Sequence, residues 1–358
     1  MTDQNTFYPP DREERWLIRR HYFRIAWIMI ILALVFSGVN TLVMNISAGI
    51  IGEGFTLEQI NAGKAVIRSI PIMRAIYSYG FPIAADIAAL GIGILVTKTD
   101  LRSKLRSAGL SGKGFLNVTS ITFSAATAAS FVNLLLIFFI LAAMGKLSDF
   151  NAASASAVSI APKGNPLWLD ILIYFYICLL GPVLEELIFR GVLLEGLRKY
   201  GNLFGIIMSA VMFGLMHQNI MQFLPAAVIG IVWGYTAVKS GSLIPSILLH
   251  ILNNTMSSLL LVVLPSIDLS NMNDISSLLK MTMPMIIIAG LISLFRFACI
   301  IGSIVIIVKY FSGTHGRLVD SNGYTSSRTW KYFFTSVPWL LITGYLIYTT
   351  VTSITHIA

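Results

Sequence analysis

The chain has 358 residues, of which 56% are hydrophobic and 11% are charged. Soluble globular domains carry about 25% charged residues, so this composition excludes an ordinary water-soluble domain. The formal net charge of +9 does not indicate nucleic-acid binding, because the basic residues lie at the ends of long apolar runs, as in proteins embedded in a bilayer.

Apolar runs that approach or reach the length of a membrane-spanning helix, about 20 residues, recur along the whole sequence. They predict an all-α fold, a polytopic transmembrane helical bundle. We count nine spans, with eight as the alternative because the fifth and sixth runs are short. The predicted spans lie near residues 25–46, 74–96, 118–144, 167–189, 203–217, 222–238, 243–264, 282–308 and 334–355.

The positions of the spans divide the chain into four regions. Residues 1–24 form a polar N-terminal segment, and residues 25–144 hold the first three spans. Residues 167–264 hold four spans and most of the polar groups that lie within spans. The last two spans fall in residues 282–358, so the predicted chemistry is concentrated in the third region.

Lysine and arginine are concentrated on one side of the predicted spans. If the N-terminus is cytoplasmic, 18 of the 25 basic residues lie in inside segments and 6 in outside segments, while Arg296 lies within a span. Cytoplasmic loops of membrane proteins are enriched in these residues. The sequence therefore predicts a multi-pass protein of the cell membrane with a cytoplasmic N-terminus.

The fourth predicted span carries two adjacent glutamates and an arginine. On a helix Glu186 and Arg190 lie about 40° apart, which allows an ion pair, whereas Glu185 lies about 140° from Arg190. Glu185 is therefore free to face a site. A carboxyl group removed from water holds a proton more readily, which suits a general base. The alternative interpretation is a charged helix end at the membrane interface.

Two histidines lie in later predicted spans. His217 follows Phe213 by one helical turn in the fifth span, and His250 precedes Asn254 by one turn in the seventh. Either histidine alone is more often a packing residue than a functional one. Three neighbouring helices with short connections, however, could bring Glu185 and both histidines into one cavity, with Asn254 beside them.

These three patterns resemble a known signature. Glu-Glu-x-x-x-Arg, Phe-x-x-x-His and His-x-x-x-Asn, in this order, are similar to the motifs of CAAX-protease and bacteriocin-processing membrane proteases. This family, called CPBP or Abi, includes the prenyl-protein endopeptidase Rce1. The resemblance covers residues from about 167 to 264 and implies that this region is the catalytic core.

The resemblance also implies a role for each motif residue. Attack of water on an amide needs a base and preorganised donors where negative charge develops, and the implied roles supply both. The resemblance implies Glu185 as the general base assisted by His217, His250 and Asn254 as oxyanion donors, Glu186 and Arg190 as structural support, and Phe213 as a wall of the cavity.

The sequence leaves the need for a metal open. Two histidines and a glutamate could bind a divalent metal such as zinc. The His-Glu-x-x-His spacing of many zinc proteases is absent from the sequence, and a glutamate can activate water by itself. The metal and any other cofactor are therefore unassigned, with a slight preference for none.

Two further charged residues lie well inside predicted spans, away from their ends. Asp86 is in the second span and Arg296 is in the eighth. Charges inside membrane helices are costly and point to function by default. A pair between Asp86 and Arg296 would neutralise both.

The predicted function is an intramembrane endopeptidase that cleaves a peptide or membrane-protein substrate at or near the cytoplasmic membrane face. Its expected partners are this substrate and the lipid bilayer, with no nucleic acid. One alternative is a non-catalytic scaffold or bacteriocin-immunity protein with the same fold. Another is a transporter, although the sequence lacks repeated halves with matching broken helices.

Overall fold

The computed structural model describes residues 12–106, 109–147, 165–263, 283–311 and 326–353. Every regular element in these ranges is helical, which confirms the all-α prediction. Within the same ranges, six helices are long and apolar enough to cross a membrane. The chain is therefore a polytopic helical membrane protein.

The N-terminal region consists of seven α-helices and two π-helical turns. The π-helical turns Leu34–Val39 and Ile76–Gly80 join α1 to α2 and α4 to α5 as continuous rods. The helices are α1 (Arg12–Ala33), α2 (Asn40–Ile51), α3 (Leu57–Ser69), α4 (Pro71–Ala75), α5 (Phe81–Thr97), α6 (Leu101–Arg106) and α7 (Gly112–Ala143).

The remaining helices begin with a long composite rod. Two π-helical turns, Tyr176–Leu180 and Leu187–Leu193, link α8, α9 and α10, and we call the whole segment Leu167–Tyr200 the glutamate rod. The helices are α8 (Leu167–Phe175), α9 (Gly181–Glu186), α10 (Leu194–Leu197), α11 (Asn202–Met216), α12 (Ile220–Ser240), α13 (Ile244–Val263), α14 (Met283–Phe311), α15 (Ser326–Phe334) and α16 (Val337–Thr352).

Each of the nine predicted spans overlaps a described helix, although their ends at 264, 282 and 355 lie outside the described residues. The helix that contains the fourth predicted span continues past residue 189 to Tyr200, and the end of the span itself stays a prediction. Helix α3, an amphipathic element between the first two spans, was not predicted. The number of helices that cross the bilayer and the cytoplasmic N-terminus stay predictions.

The distribution of side chains is that of a protein surrounded by lipid. Large apolar residues such as Leu95 and Leu116 are 77% and 67% exposed, whereas Glu186 and Arg190 are 0% and 1% exposed. In water this arrangement would be strongly unfavourable, but in a bilayer the lipid tails cover the apolar surface. The buried charged groups inside the bundle are therefore the unusual feature, because their removal from water is costly.

Helix α5 packs directly against the glutamate rod at Gly93. A Cβ atom at this position would lie 2.5 Å from Cγ2 of Val192, which is fully buried and β-branched. A Cβ at Gly91, two residues earlier on the same helix, would meet nothing within 4 Å. Gly93 thus allows the close approach of the two helices.

We expect Gly93→Ala to destabilise the folded protein by about 1–3 kcal/mol, because Val192 cannot move aside without repacking. The check is the thermal unfolding midpoint in detergent, with Gly91→Ala as the matched control. Equal midpoints for the two variants would show that the contact at Gly93 does not limit packing.

Candidate active site

The two glutamates lie in a short α-helical stretch between two π-helical turns. Helix α9 contains only residues Gly181–Glu186, and each neighbouring turn widens the helix locally. Such π-helical turns often occur at functional sites. At 1.5 Å per residue, Glu185 lies about 27 Å from the first residue of the rod and about 22 Å from the last. The carboxyl group is therefore near the middle of the rod.

The first π-helical turn explains a contact of Asn254. A π-helical carbonyl accepts from the N–H five residues ahead, as Tyr176 does from Gly181. For Ile177 the residue five ahead is Pro182, which has no N–H. The side chain of Asn254 donates to this carbonyl instead, with Nδ2 3.0 Å from the oxygen. Asn254 thereby fixes α13 to the turn that precedes Glu185.

Glu186 is the centre of a buried charged cluster. Its Oε1 lies 2.9 Å from Nη1 of Arg190 and 3.0 Å from Nδ1 of His250. The three side chains are between 0% and 3% exposed, so none of them reaches the lipid or water. A buried carboxylate is tolerated only when it is paired, and both partners are needed here. The spacing-based prediction that Glu186 contacts Arg190 agrees with this geometry.

Two aromatic side chains enclose this cluster. The guanidinium of Arg190 lies 4.3 Å from the ring centre of Phe213 and 5.4 Å from that of Trp233. The His250 ring lies 4.5 Å from Trp233 and 5.6 Å from Phe213. These contacts restrict the positions of the cation and the imidazole. Phe213 also lines the cavity beside Glu185, the position that the resemblance implied for it. The contribution of Trp233 was not predicted.

Glu185 faces a different environment from its neighbour. Its Oε2 lies 3.6 Å from Nε2 of His250, which is longer than a hydrogen bond, and it has no hydrogen-bond partner among the described residues. The side chain is 24% exposed. Glu185 thus lies beside the charged cluster, but its Oε2 is not hydrogen-bonded to any member of the cluster.

This exposure is to a cavity of about 210 Å³ inside the bundle. Its apolar wall comes from α1, the π-helical turn after α1, α5, the glutamate rod and α11. A water molecule takes about 30 Å³ in the liquid, so the cavity has room for several. The polar residues that line it are Asp86, Tyr176, Glu185, His217 and Gln222.

His217 is positioned by the end of its helix. It follows Met216, the last residue of α11, and the next residue, Gln218, has a left-handed backbone with φ of 48°. The Ser37 hydroxyl donates to Oε1 of Gln218 at 3.1 Å and accepts from its Nε2 at 2.8 Å. The strained turn after His217 is therefore anchored to the π-helical turn Leu34–Val39.

We expect Ser37→Ala to lower the kcat of any reaction in which His217 takes part roughly threefold to tenfold, because hydrogen bonds worth about 1 kcal/mol each no longer hold the turn after His217. Protein abundance should stay unchanged. Ser124→Ala is the control, since Ser124 and Ser303 form a comparable 2.8 Å hydrogen bond between two other helices. Equal kcat values for the two variants would contradict the anchoring role.

The structure brings some of the predicted residues into one cavity and leaves others outside it. Glu185 and His217 line the cavity, and His250 lies behind Glu185. Neither His250 nor Asn254 is among the lining residues, and the described donor contact of Asn254 is the Ile177 carbonyl. The predicted roles of His250 and Asn254 as oxyanion donors stay predictions.

Asp86 is a charged residue of the cavity whose place was not predicted. No ion pair between Asp86 and Arg296 occurs among the described residues, although the sequence suggested one. Asp86 instead lines the same cavity as Glu185. The sequence feature that could have identified Asp86 as a candidate site residue is an acidic side chain within an apolar span.

A metal site was left open by the sequence. In the part of the chain that the structure describes, no group of three or more His, Cys, Asp or Glu side chains is arranged to hold a metal ion.

No curated protein and no solved structure matches the chain. Residues 166–256, which include all three motifs, match the family model described as Type II CAAX prenyl endopeptidase Rce1-like. This match confirms the resemblance drawn from the motifs: residues 166–256 carry the sequence features of the Rce1-like family of membrane proteases.

Proposed function

We propose that this protein is an intramembrane endopeptidase that hydrolyses a peptide bond with a water molecule activated by Glu185. The observation that carries the proposal is that Glu185 and His217, from two separate helices, face one cavity with room for water. The match of residues 166–256 to a protease family supports the same reaction class.

Glu185 is the general base in this proposal. Among the described residues its Oε2 has no hydrogen-bond partner, and the nearby cation Arg190 lies against Glu186 instead. Glu185 can therefore take a proton from water as the oxygen attacks the substrate carbonyl. His217 lines the same cavity, and its imidazole can hold the attacking water in place.

His250 is the proposed donor to the oxyanion. The Glu186 carboxylate can only accept a hydrogen bond, so Nδ1 of His250 must carry a hydrogen. Nε2 then carries a hydrogen as well only in the imidazolium form of His250. The Glu186 carboxylate stabilises this form, as a carboxylate does for the imidazolium of a catalytic triad. Asn254 supports the site by holding the turn before Glu185, and donation from Asn254 to the oxyanion remains part of the proposal.

The substrate in this proposal is a peptide or protein segment that reaches into the bundle. Most of the cavity wall is apolar, and Glu185 lies near the middle of the glutamate rod. An extended segment of a membrane-associated protein fits this environment better than a soluble globular one. Cleavage at or near the cytoplasmic face remains part of the proposal.

The test uses the purified full-length chain in lipid nanodiscs. The probes are an internally quenched peptide with an S-farnesyl cysteine in a CAAX sequence, its unprenylated form, and peptides from membrane-protein tails. In ¹⁸O-labelled water we expect one ¹⁸O atom in the new carboxylate of a cleaved probe. The Glu185→Gln variant, purified in parallel, controls for contaminating proteases.

Two arms of this experiment separate the alternatives. Retained cleavage in the presence of 1,10-phenanthroline supports a metal-free reaction, whereas loss that added zinc restores assigns a metal to it. Folded protein that cleaves none of the probes, but retains a binding partner through purification, would favour the scaffold function.

A further inference from the structure

Asp86 is a second acid in the cavity that holds Glu185. It is 9% exposed and lines the cavity together with Glu185 and His217. The described residues give Asp86 neither a hydrogen bond nor an ion pair. An acid without a partner among membrane helices is energetically costly, so its presence points to a function.

The position of Asp86 is fixed by the packing of α5. Asp86 and Gly93 are seven residues apart, so they lie about 20° apart on the helix and share one face. Gly93 is the residue that packs against Val192 of the glutamate rod. Pro82, one turn before Asp86, also lines the cavity. This face of α5 therefore presents Asp86 toward the glutamate rod.

Asp86 and Glu185 are two carboxyl groups that line one cavity. In a site shielded from water like charges repel, so a state with one of the two protonated costs less than a state with both ionised. The nearby cation Arg190 lies against Glu186, and His250 is 3.6 Å from Glu185. A proton held by Asp86 leaves Glu185 free to act as the base.

The proposed hydrolysis needs a donor for the leaving amine, and we propose that Asp86 is this general acid. The assignment rests on the proposed endopeptidase function. Water adds its oxygen to the carbonyl carbon and gives one proton to Glu185. The C–N bond then breaks, and its electron pair takes the proton of Asp86. Transfer of the proton from Glu185 to Asp86 through cavity water restores the starting state.

The test compares two leaving groups on one acyl sequence. The first probe is the quenched CAAX peptide, or whichever probe peptide the wild-type chain cleaves, and the second is the p-nitrophenyl ester of the same acyl segment. An amine must be protonated to leave, whereas p-nitrophenolate leaves without a proton. General acid catalysis typically contributes roughly 10²- to 10⁴-fold.

We expect Asp86→Asn to lower kcat for the peptide by roughly 100-fold or more and to affect the ester far less. Glu185→Gln should lower kcat for both probes, since both need an activated water. If Asp86→Asn does not accumulate as folded protein, Asp86→Ser, with a smaller polar side chain, carries the same comparison.

Three outcomes would overturn the assignment. The first is a peptide kcat within twofold of wild type for the Asp86 variant. The second is an equal loss on both probes, which is the result of a structural role. The third is a higher KM with an unchanged kcat, which would make Asp86 a residue of substrate recognition. Failure of the wild type to cleave any probe would instead contradict the proposed function.

Discussion

Replacing Glu185 by glutamine is expected to lower hydrolysis by roughly 10²- to 10⁴-fold while folded protein accumulates normally. Glutamine keeps the shape of the side chain but cannot take a proton from water. The replacement should be tolerated because Glu185 is 24% exposed to the cavity and its Oε2 has no hydrogen-bond partner among the described residues. No buried cation loses its partner.

The measurement is kcat for the cleaved probe, alongside the amount and thermal midpoint of the purified protein. Glu195→Gln is the matched control, because Glu195 lies on the same rod outside the cavity lining. It pairs with Lys104 and Arg198 at 2.9 and 3.3 Å. Full turnover by Glu185→Gln would exclude the glutamate-activated water and return the scaffold interpretation to first place.

The contact between Glu186 and Arg190 could be predicted from the sequence because it depends on local geometry. Residues four apart on a helix are neighbours, so Glu186 was expected beside Arg190, and the 2.9 Å ion pair is consistent with this. The two motif histidines could be identified because histidine is rare inside membrane spans. The all-α fold followed from the apolar runs alone.

Other features depend on contacts that no local pattern encodes. The contact of Asn254 with the Ile177 carbonyl requires a π-helical turn and a proline five residues ahead. Asp86 reaches the cavity because Gly93 allows α5 to approach the rod, and neither residue belongs to a motif. The extension of the rod to Tyr200 was missed because polar residues interrupt the apolar run.

The adjacent glutamates therefore differ in what their side chains contact. Glu186 is fully buried between two partners, whereas Glu185 borders a cavity and has no hydrogen-bonded partner at Oε2 among the described residues. In the proposed mechanism one of these neighbouring residues supports the site and the other reacts with water. Mutations at the two positions should accordingly have opposite signatures, loss of protein for one and loss of turnover for the other.

Arg190→Ala should affect stability, whereas Glu185→Gln should affect turnover. We expect Arg190→Ala to destabilise the protein by about 3–5 kcal/mol. The change leaves the Glu186 carboxylate buried with one partner fewer. It also removes the guanidinium from its place against Phe213 and Trp233, which leaves unfilled space. Such a loss is a large part of the total stability of most domains, so little folded protein should survive extraction.

The control is Arg198→Ala, since the side chain of Arg198 is 29% exposed and its pair with Glu195 should contribute about 0–1 kcal/mol. A double variant, Glu186→Gln with Arg190→Met, removes both charges of the buried pair. If the cost of Arg190→Ala comes from stranding a charge, the double variant should be more stable than Arg190→Ala. Normal abundance of Arg190→Ala together with lost turnover would instead place Arg190 in the catalytic machinery, since stability would then not explain its effect.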